Sequence, residues 1–207
     1  MFNSIKREVK LAFTENKIAI VASILIFFVS LILGYVFEPN LYTYLNPIVE
    51  DLTHKVETGV VQLTFNDIFF NNIIIVLQMF IYGLVFCLSF LILAFNGFFV
   101  GYFVATSANL LPTLLLIVPH GIFEFSSCIL GCASGFVLFN FVYSLLKTSP
   151  KHREMKFMDR LLFSYDKHFN KLLQALILLG ISSILMFIAA IFEVYFTLPI
   201  AEFLLSI

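Results

Sequence analysis

Tryptophan is absent from this chain of 207 residues, and charged side chains make up only 12% of it. So little charge cannot cover a water-exposed globule of this length. Cysteine occurs three times, at Cys87, Cys128 and Cys132, always within apolar stretches, so no disulfide framework staples the chain. Cys128 and Cys132 stand one helical turn apart with no other soft ligand near them in sequence, and they read as small buried packing residues. The net charge of −1 supplies no attraction toward nucleic acid. A P-loop, a dinucleotide-binding glycine pattern, an H-E-x-x-H zinc signature and a Ser/His/Asp constellation are all missing. No catalytic residue and no cofactor is therefore expected. Internal repeats and low-complexity linkers are missing too.

What fills the chain is apolar. Hydrophobic residues reach 61%, 27 of the residues are Phe, and the mean hydropathy is +1.02. A bilayer-spanning helix needs about 20 such residues in a row. The sequence offers Ile18–Phe37, Ile68–Phe95, Phe98–Val118, roughly His120–Leu146, and Leu172–Phe192. These runs are too long and too uniformly apolar for the alternating strands of a barrel, and a helix satisfies its own backbone in lipid. The fold class is all-α: a polytopic helical membrane protein of about five spans, forming a single transmembrane domain over residues 1–207. The first apolar run is too long for a signal core and lacks a cleavage site, so it reads as a retained anchor.

Lys and Arg set the orientation. Lys6, Arg7, Lys10 and Lys17 mark the first 17 residues, and Lys147, Lys151, Arg153, Lys156, Arg160, Lys167 and Lys171 mark the segment 147–171. Segment 38–67 holds only Lys55 against Glu38, Glu50, Asp51, Glu57 and Asp67. Positive segments stay in the cytoplasm. The expectation is a cell-membrane protein with a cytoplasmic N-terminus, an extracytoplasmic loop at 38–67, a cytoplasmic basic loop at 147–171 and an extracytoplasmic C-terminus. Parity then demands an even number of crossings over residues 98–146. Two helices joined near Asn109–Pro112 or at Pro119 satisfy it, and so does a re-entrant pair.

Three polar segments carry apolar stripes at helical spacing and are expected as short amphipathic helices at the interface. They comprise Phe2, Ile5, Val9 and Phe13; then Leu45, Ile48, Val49, Leu52, Val56, Val60 and Leu63; then Met155, Met158, Leu162, Tyr165 and Phe169. Gly97, Gly101 and Ala105 are spaced by four, as are Ser127, Gly131 and Gly135. Small residues at that interval let helices approach closely in lipid. The stripes are expected to pack the third and fourth spans against each other, with homodimerisation as the alternative.

The costliest residues sit in Pro119-His120-Gly121-Ile122-Phe123-Glu124. Hydrocarbon solvates neither an imidazolium nor a carboxylate, so such groups face a protein interior or a wet cavity. Four residues apart, His120 and Glu124 share a helix face. Three roles stay open: a structural hydrogen-bonded pair, ion or proton handling, and metal binding, the last weakened because two ligands fall short of the usual three. Asn71, Asn72, Gln78, Asn96 and Asn109 add amides to neighbouring spans, and Asn96 and Asn72 are expected to join His120 and Glu124 in a buried polar cluster. Glu193 reads as an interfacial carboxylate at the outer end of the last span.

Asn96-Gly97 with Gly101, Pro119-His120-Gly121-x-x-Glu124 with Gly131 and Gly135, and Ala189-Ala190-x-x-Glu193 with Pro199 together resemble the stage II sporulation protein M family. The likeness runs from the second span to the end and covers the order and number of spans. It implies a non-enzymatic integral membrane scaffold that recruits other membrane or envelope proteins; the sporulation member is thought to recruit cell-wall hydrolases during engulfment. The family brings no established catalytic residues. Partners are then the lipid bilayer and envelope proteins, with a homo-oligomer open. The alternative is a small transporter or channel subunit with a polar pathway through His120, Glu124 and Asn96.

Overall fold

The computed structural model describes residues 2–58, 64–85, 88–148 and 156–206, and all the regular structure among them is helical. Val60, Leu63, Cys87, Lys151, His152, Arg153 and Met155 lie outside the described residues, as do the side chains of Phe2, Leu52, Lys55, Val56 and Glu57. The helices are α1 (Phe2–Glu15), α2 (Lys17–Glu57), α3 (Phe65–Tyr82), α4 (Leu88–Thr106), α5 (Leu110–Thr148), α6 (Phe157–Ile191) and α7 (Thr197–Leu205). Between α6 and α7, residues Phe192–Phe196 wind as a π turn. Five of these segments are long and apolar enough to cross a membrane: α2, α3, α4, α5, and α6 continued through α7.

Local chemistry explains the helix ends. Thr64 caps α3: its hydroxyl accepts the Asp67 amide at 3.3 Å and donates to the Asp67 carboxylate. That reciprocal pair also places an acid at the positive end of the helix dipole. After α3 the chain tightens into successive three-residue turns, Gly83 to Phe80, Leu84 to Ile81 and Val85 to Tyr82. The short connector 107–109 is held by the Ser107 hydroxyl, which accepts the Asn109 amide and pairs with Thr113. Pro112 falls in the first turn of α5, where its missing N–H costs nothing.

These ends shift the expected boundaries. The apolar run Ile68–Phe95 is two helices, α3 and part of α4, and the expected division at residues 96–97 lies in the middle of α4. Uninterrupted hydropathy through Gly83 concealed the break, because the turn is fixed by a tertiary contact. A Cβ at Gly83 would overlap the backbone of Gly135. Pro119 lies inside α5 and divides nothing; neighbouring groups in a bundle tolerate proline in a membrane helix. The segment expected as an outer loop from residue 38 begins instead as a continuation of α2, through Pro39 and Pro47.

The two small-residue stripes do not face each other. Gly97 and Gly101 lie against α2, where added Cβ atoms would meet Phe27 and Ser30 or overlap the Leu31 carbonyl. Gly34 of α2 meets Phe98 in return, so α2 and α4 run parallel in near backbone contact. Gly135 abuts Met79 of α3 and Ser89 of α4, while Gly131 contacts Val76 of α3 and Ser182 of α6. Ser127 and Ser182 exchange hydroxyl-to-carbonyl bonds of 2.7 Å in both directions, clamping α5 to α6. Spacing by four reports that a face is close-packed, but nothing in it names the helix that fills it.

Two apolar clusters form around α5. One joins Phe27, Val76, Met79, Leu93, Ile129 and Met186, and the other joins Ala12, Val137, Leu138, Phe141, Ala175 and Leu178. Ala12 docks α1 on the second cluster, and its end is fixed by Asn16 and Glu15, both bonded to the buried amide of Gln174. Nearby, Lys171 donates to Asn140 at 3.0 Å and to Ser144 at 2.8 Å, forming a polar layer at one end of the apolar bundle.

Candidate functional site

Glu124 lies sixteen residues along α5 from Asn140 in that polar layer, a rise of about 24 Å. In the other direction, Thr113 at the α4–α5 connector is about 16 Å away by the same measure. Glu124 and His120 thus sit within the apolar layer, in the half near the α4–α5 connector. Their shared helix face brings His120 Nε2 to 4.0 Å from Glu124 Oε2, with side-chain exposures of 15% and 21%. Beside them is a small hollow of about 180 Å³, lined by Phe99, Val100, Phe103, Ile117 and Phe125.

The third member comes from the far end of the chain. Glu193, at the second position of the π turn, places a carboxylate oxygen so that one ligand atom each from His120, Glu124 and Glu193 lie within 4.8 Å of one another. A π turn inserts a residue into the helical phase and re-aims the side chains after it, which is a recurrent device at functional sites. Phe192 packs on Phe123 of α5 at 4.8 Å and anchors the turn there. Thr197, buried at the start of α7, completes the arrangement.

The hydrogen bonds around Thr197 favour one tautomer of the imidazole. The Thr197 hydroxyl donates to the Phe192 carbonyl at 3.0 Å, which uses its single proton. At 3.2 Å from His120 Nδ1 the same oxygen is then free to accept, an arrangement that favours the tautomer with its hydrogen on Nδ1. Nε2 is left with a lone pair, pointed toward Glu124. Among the described residues no Lys or Arg forms a salt bridge with Glu124 or Glu193. The site is a set of lone-pair donors in a low-dielectric setting, suited to hold a proton or a cation between them.

Asn96 lines a second hollow with Ile75, Gln78, Ile92 and Phe95, and Phe99 borders both hollows. Asn72 is half-buried on α3. Gly97, Gly101, Ser127, Gly131 and Gly135 are the helix contacts already described. The residue that sequence reasoning left out of the cluster is Glu193. Its signal was available: it is the single acid in the apolar stretch from Leu172 to Ala201, as Glu124 is in the stretch from Ile68 to Leu146. Nothing in the spacing showed that the two meet.

A family model described as stage II sporulation protein M matches residues 23–198, most of the chain and all the members of this site. The chain belongs to the stage II sporulation protein M family. It is also 32% identical over 195 residues to an uncharacterized protein of Methanocaldococcus jannaschii, an alignment covering 92% of this chain and 99% of that relative. No solved structure matches. Both the P-H-G-x-x-E element and the A-A-x-x-E element of this family member fall within the matched region, and the fold brings their acids together.

Proposed function

We propose that this family member is a cell-membrane scaffold that recruits envelope proteins and performs no catalysis of its own. The observation that carries the reading is the length of α2. Its 41 residues make a rod of about 60 Å, twice the roughly 30 Å hydrocarbon thickness. The inner half packs on α4 and anchors the rod. The outer half continues as helix past Glu38 with Tyr42, Tyr44 and Ile48 exposed at 50%, 75% and 50%. Tyr44 and Ile48 lie one turn apart on one side, and exposed aromatic and aliphatic pairs of this kind are the usual anchors of protein interfaces. The Lys and Arg distribution supports an arm outside the cell, with α1 and the start of α6 on the cytoplasmic side and the C-terminus outside.

The test replaces both anchors with Asp. Tyr44→Asp with Ile48→Asp should remove a co-purifying envelope protein while leaving the thermal unfolding midpoint of the detergent-solubilised chain unchanged. A cysteine placed at Tyr44 should react with a membrane-impermeant maleimide added outside intact cells. Undiminished co-purification by the double variant, or labelling only after lysis, contradicts the reading.

A further inference from the structure

We propose that His120, Glu124 and Glu193 form a binding site for one divalent transition-metal ion of the zinc type, which ties α5 to the turn between α6 and α7. This stands apart from the docking role of α2, since no residue is shared. Three observations converge on it. The ligand atoms come from two segments of chain and lie within 4.8 Å of one another. The Thr197 hydroxyl, by giving its proton to the Phe192 carbonyl, favours the tautomer in which His120 Nε2 is a bare lone pair facing Glu124 Oε2. In that tautomer two acceptors face each other across 4.0 Å, a gap that a cation bound to both would fill. The location inside the apolar layer adds to this, because the two carboxylates there have no Lys or Arg salt-bridge partner among the described residues.

The donor set selects the ion. A divalent cation exactly offsets two carboxylates, so the loaded site carries no net charge into lipid. One imidazole nitrogen with two carboxylate oxygens suits zinc, and to a lesser degree ferrous or manganous ions, whereas magnesium and calcium prefer all-oxygen shells. Three protein ligands with a fourth position open toward the hollow is a familiar zinc arrangement. Bond lengths of about 2.0–2.2 Å require the side chains to close in by roughly an ångström, within the reach of two flexible Glu chains. The Thr197 bond to Nδ1 is the kind of outer contact that orients a metal-bound His, and losing such a contact typically weakens affinity about 10–100-fold.

The experiment uses the full chain in detergent, stripped with a chelator and then dialysed against ZnCl₂, MnCl₂ or MgCl₂. After desalting, the wild type should retain about one zinc per chain, retain no magnesium, and melt at a higher temperature with zinc than without. Glu193→Gln, which keeps shape and removes charge, should lose the bound zinc and the zinc-dependent rise in melting temperature. Thr197→Ala should weaken zinc binding about 10–100-fold with the ligands intact. His168→Gln, which removes an imidazole outside the site, should bind as the wild type does. Cobalt(II) supplies a reading independent of folding: its visible absorption should show nitrogen and oxygen ligation in the wild type and change in Glu193→Gln. Failure of the folded wild type to retain zinc overturns the proposal. So does zinc binding that survives in Glu193→Gln, or zinc binding that disappears in His168→Gln.

Discussion

Gly101→Leu should separate α2 from α4 and cost at least about 3 kcal/mol of stability, at the upper end of overpacking effects. The added Cβ alone would overlap the Leu31 carbonyl and crowd the Tyr35 amide, and these are backbone atoms that cannot rotate aside. The neighbouring turns offer no relief, because Gly97 meets the Phe27 carbonyl and Gly34 meets Phe98 in the same seam. Helices in lipid are held by close van der Waals contact rather than by expulsion of water, so widening the seam forfeits the contact along its length. The comparison is Gly180→Leu, on an exposed face of α6 where an added Cβ meets nothing within 4 Å. It should leave the unfolding midpoint in detergent nearly unchanged. Equal midpoints for the two variants would show that the seam is looser than described.

Phe27→Ala should cost about 3 kcal/mol, the range for removing a buried aromatic ring. Phe27 is 1% exposed and sits where its own helix α2 meets α4 and α5. Its ring packs on Phe125 of α5 at 5.0 Å, while its carbonyl lies under Gly97 of α4. Phe125 in turn lines the hollow beside His120 and Glu124. The substitution should therefore act at two places, lowering the unfolding midpoint and loosening the polar site. Phe27→Leu, which keeps most of the volume, should recover most of the lost stability. A Phe27→Ala chain as stable as the wild type would mean that the three helices do not meet there.

Much of this arrangement was legible in the residues, and the rest failed for identifiable reasons. Helical class and the five crossings follow from apolar runs longer than a bilayer is thick, a property of composition alone. The His120–Glu124 pairing follows from a spacing of four on a helix, which is local geometry. The division at Gly83 was not legible, because the flanking residues are as apolar as the helices they separate and the turn is set by contact with Gly135. The small-residue stripes identified close-packed faces, yet Gly97 and Gly101 chose α2 and not α5. Choosing among equally apolar neighbours is a tertiary event without a sequence period. Glu193 shows the same limit at the site itself. A lone acid near the end of the last span reads as interfacial, whereas in the fold it lies in the π turn at Phe192–Phe196 and meets residues some seventy positions earlier.

The convergence of Glu193 on Glu124 is thus the claim on which the site depends, and cross-linking tests it most directly. In a background freed of native cysteines, Glu124→Cys and Glu193→Cys are combined, with a protease site inserted between Thr148 and Lys156 to sever the chain. A short bifunctional thiol reagent applied to native membranes should join the two halves, which then migrate together after cleavage. Asn140→Cys, about 24 Å further along α5 than Glu124, combined with Glu193→Cys should instead fall apart. Halves that separate in the Glu124/Glu193 pair despite full thiol reaction would contradict the account.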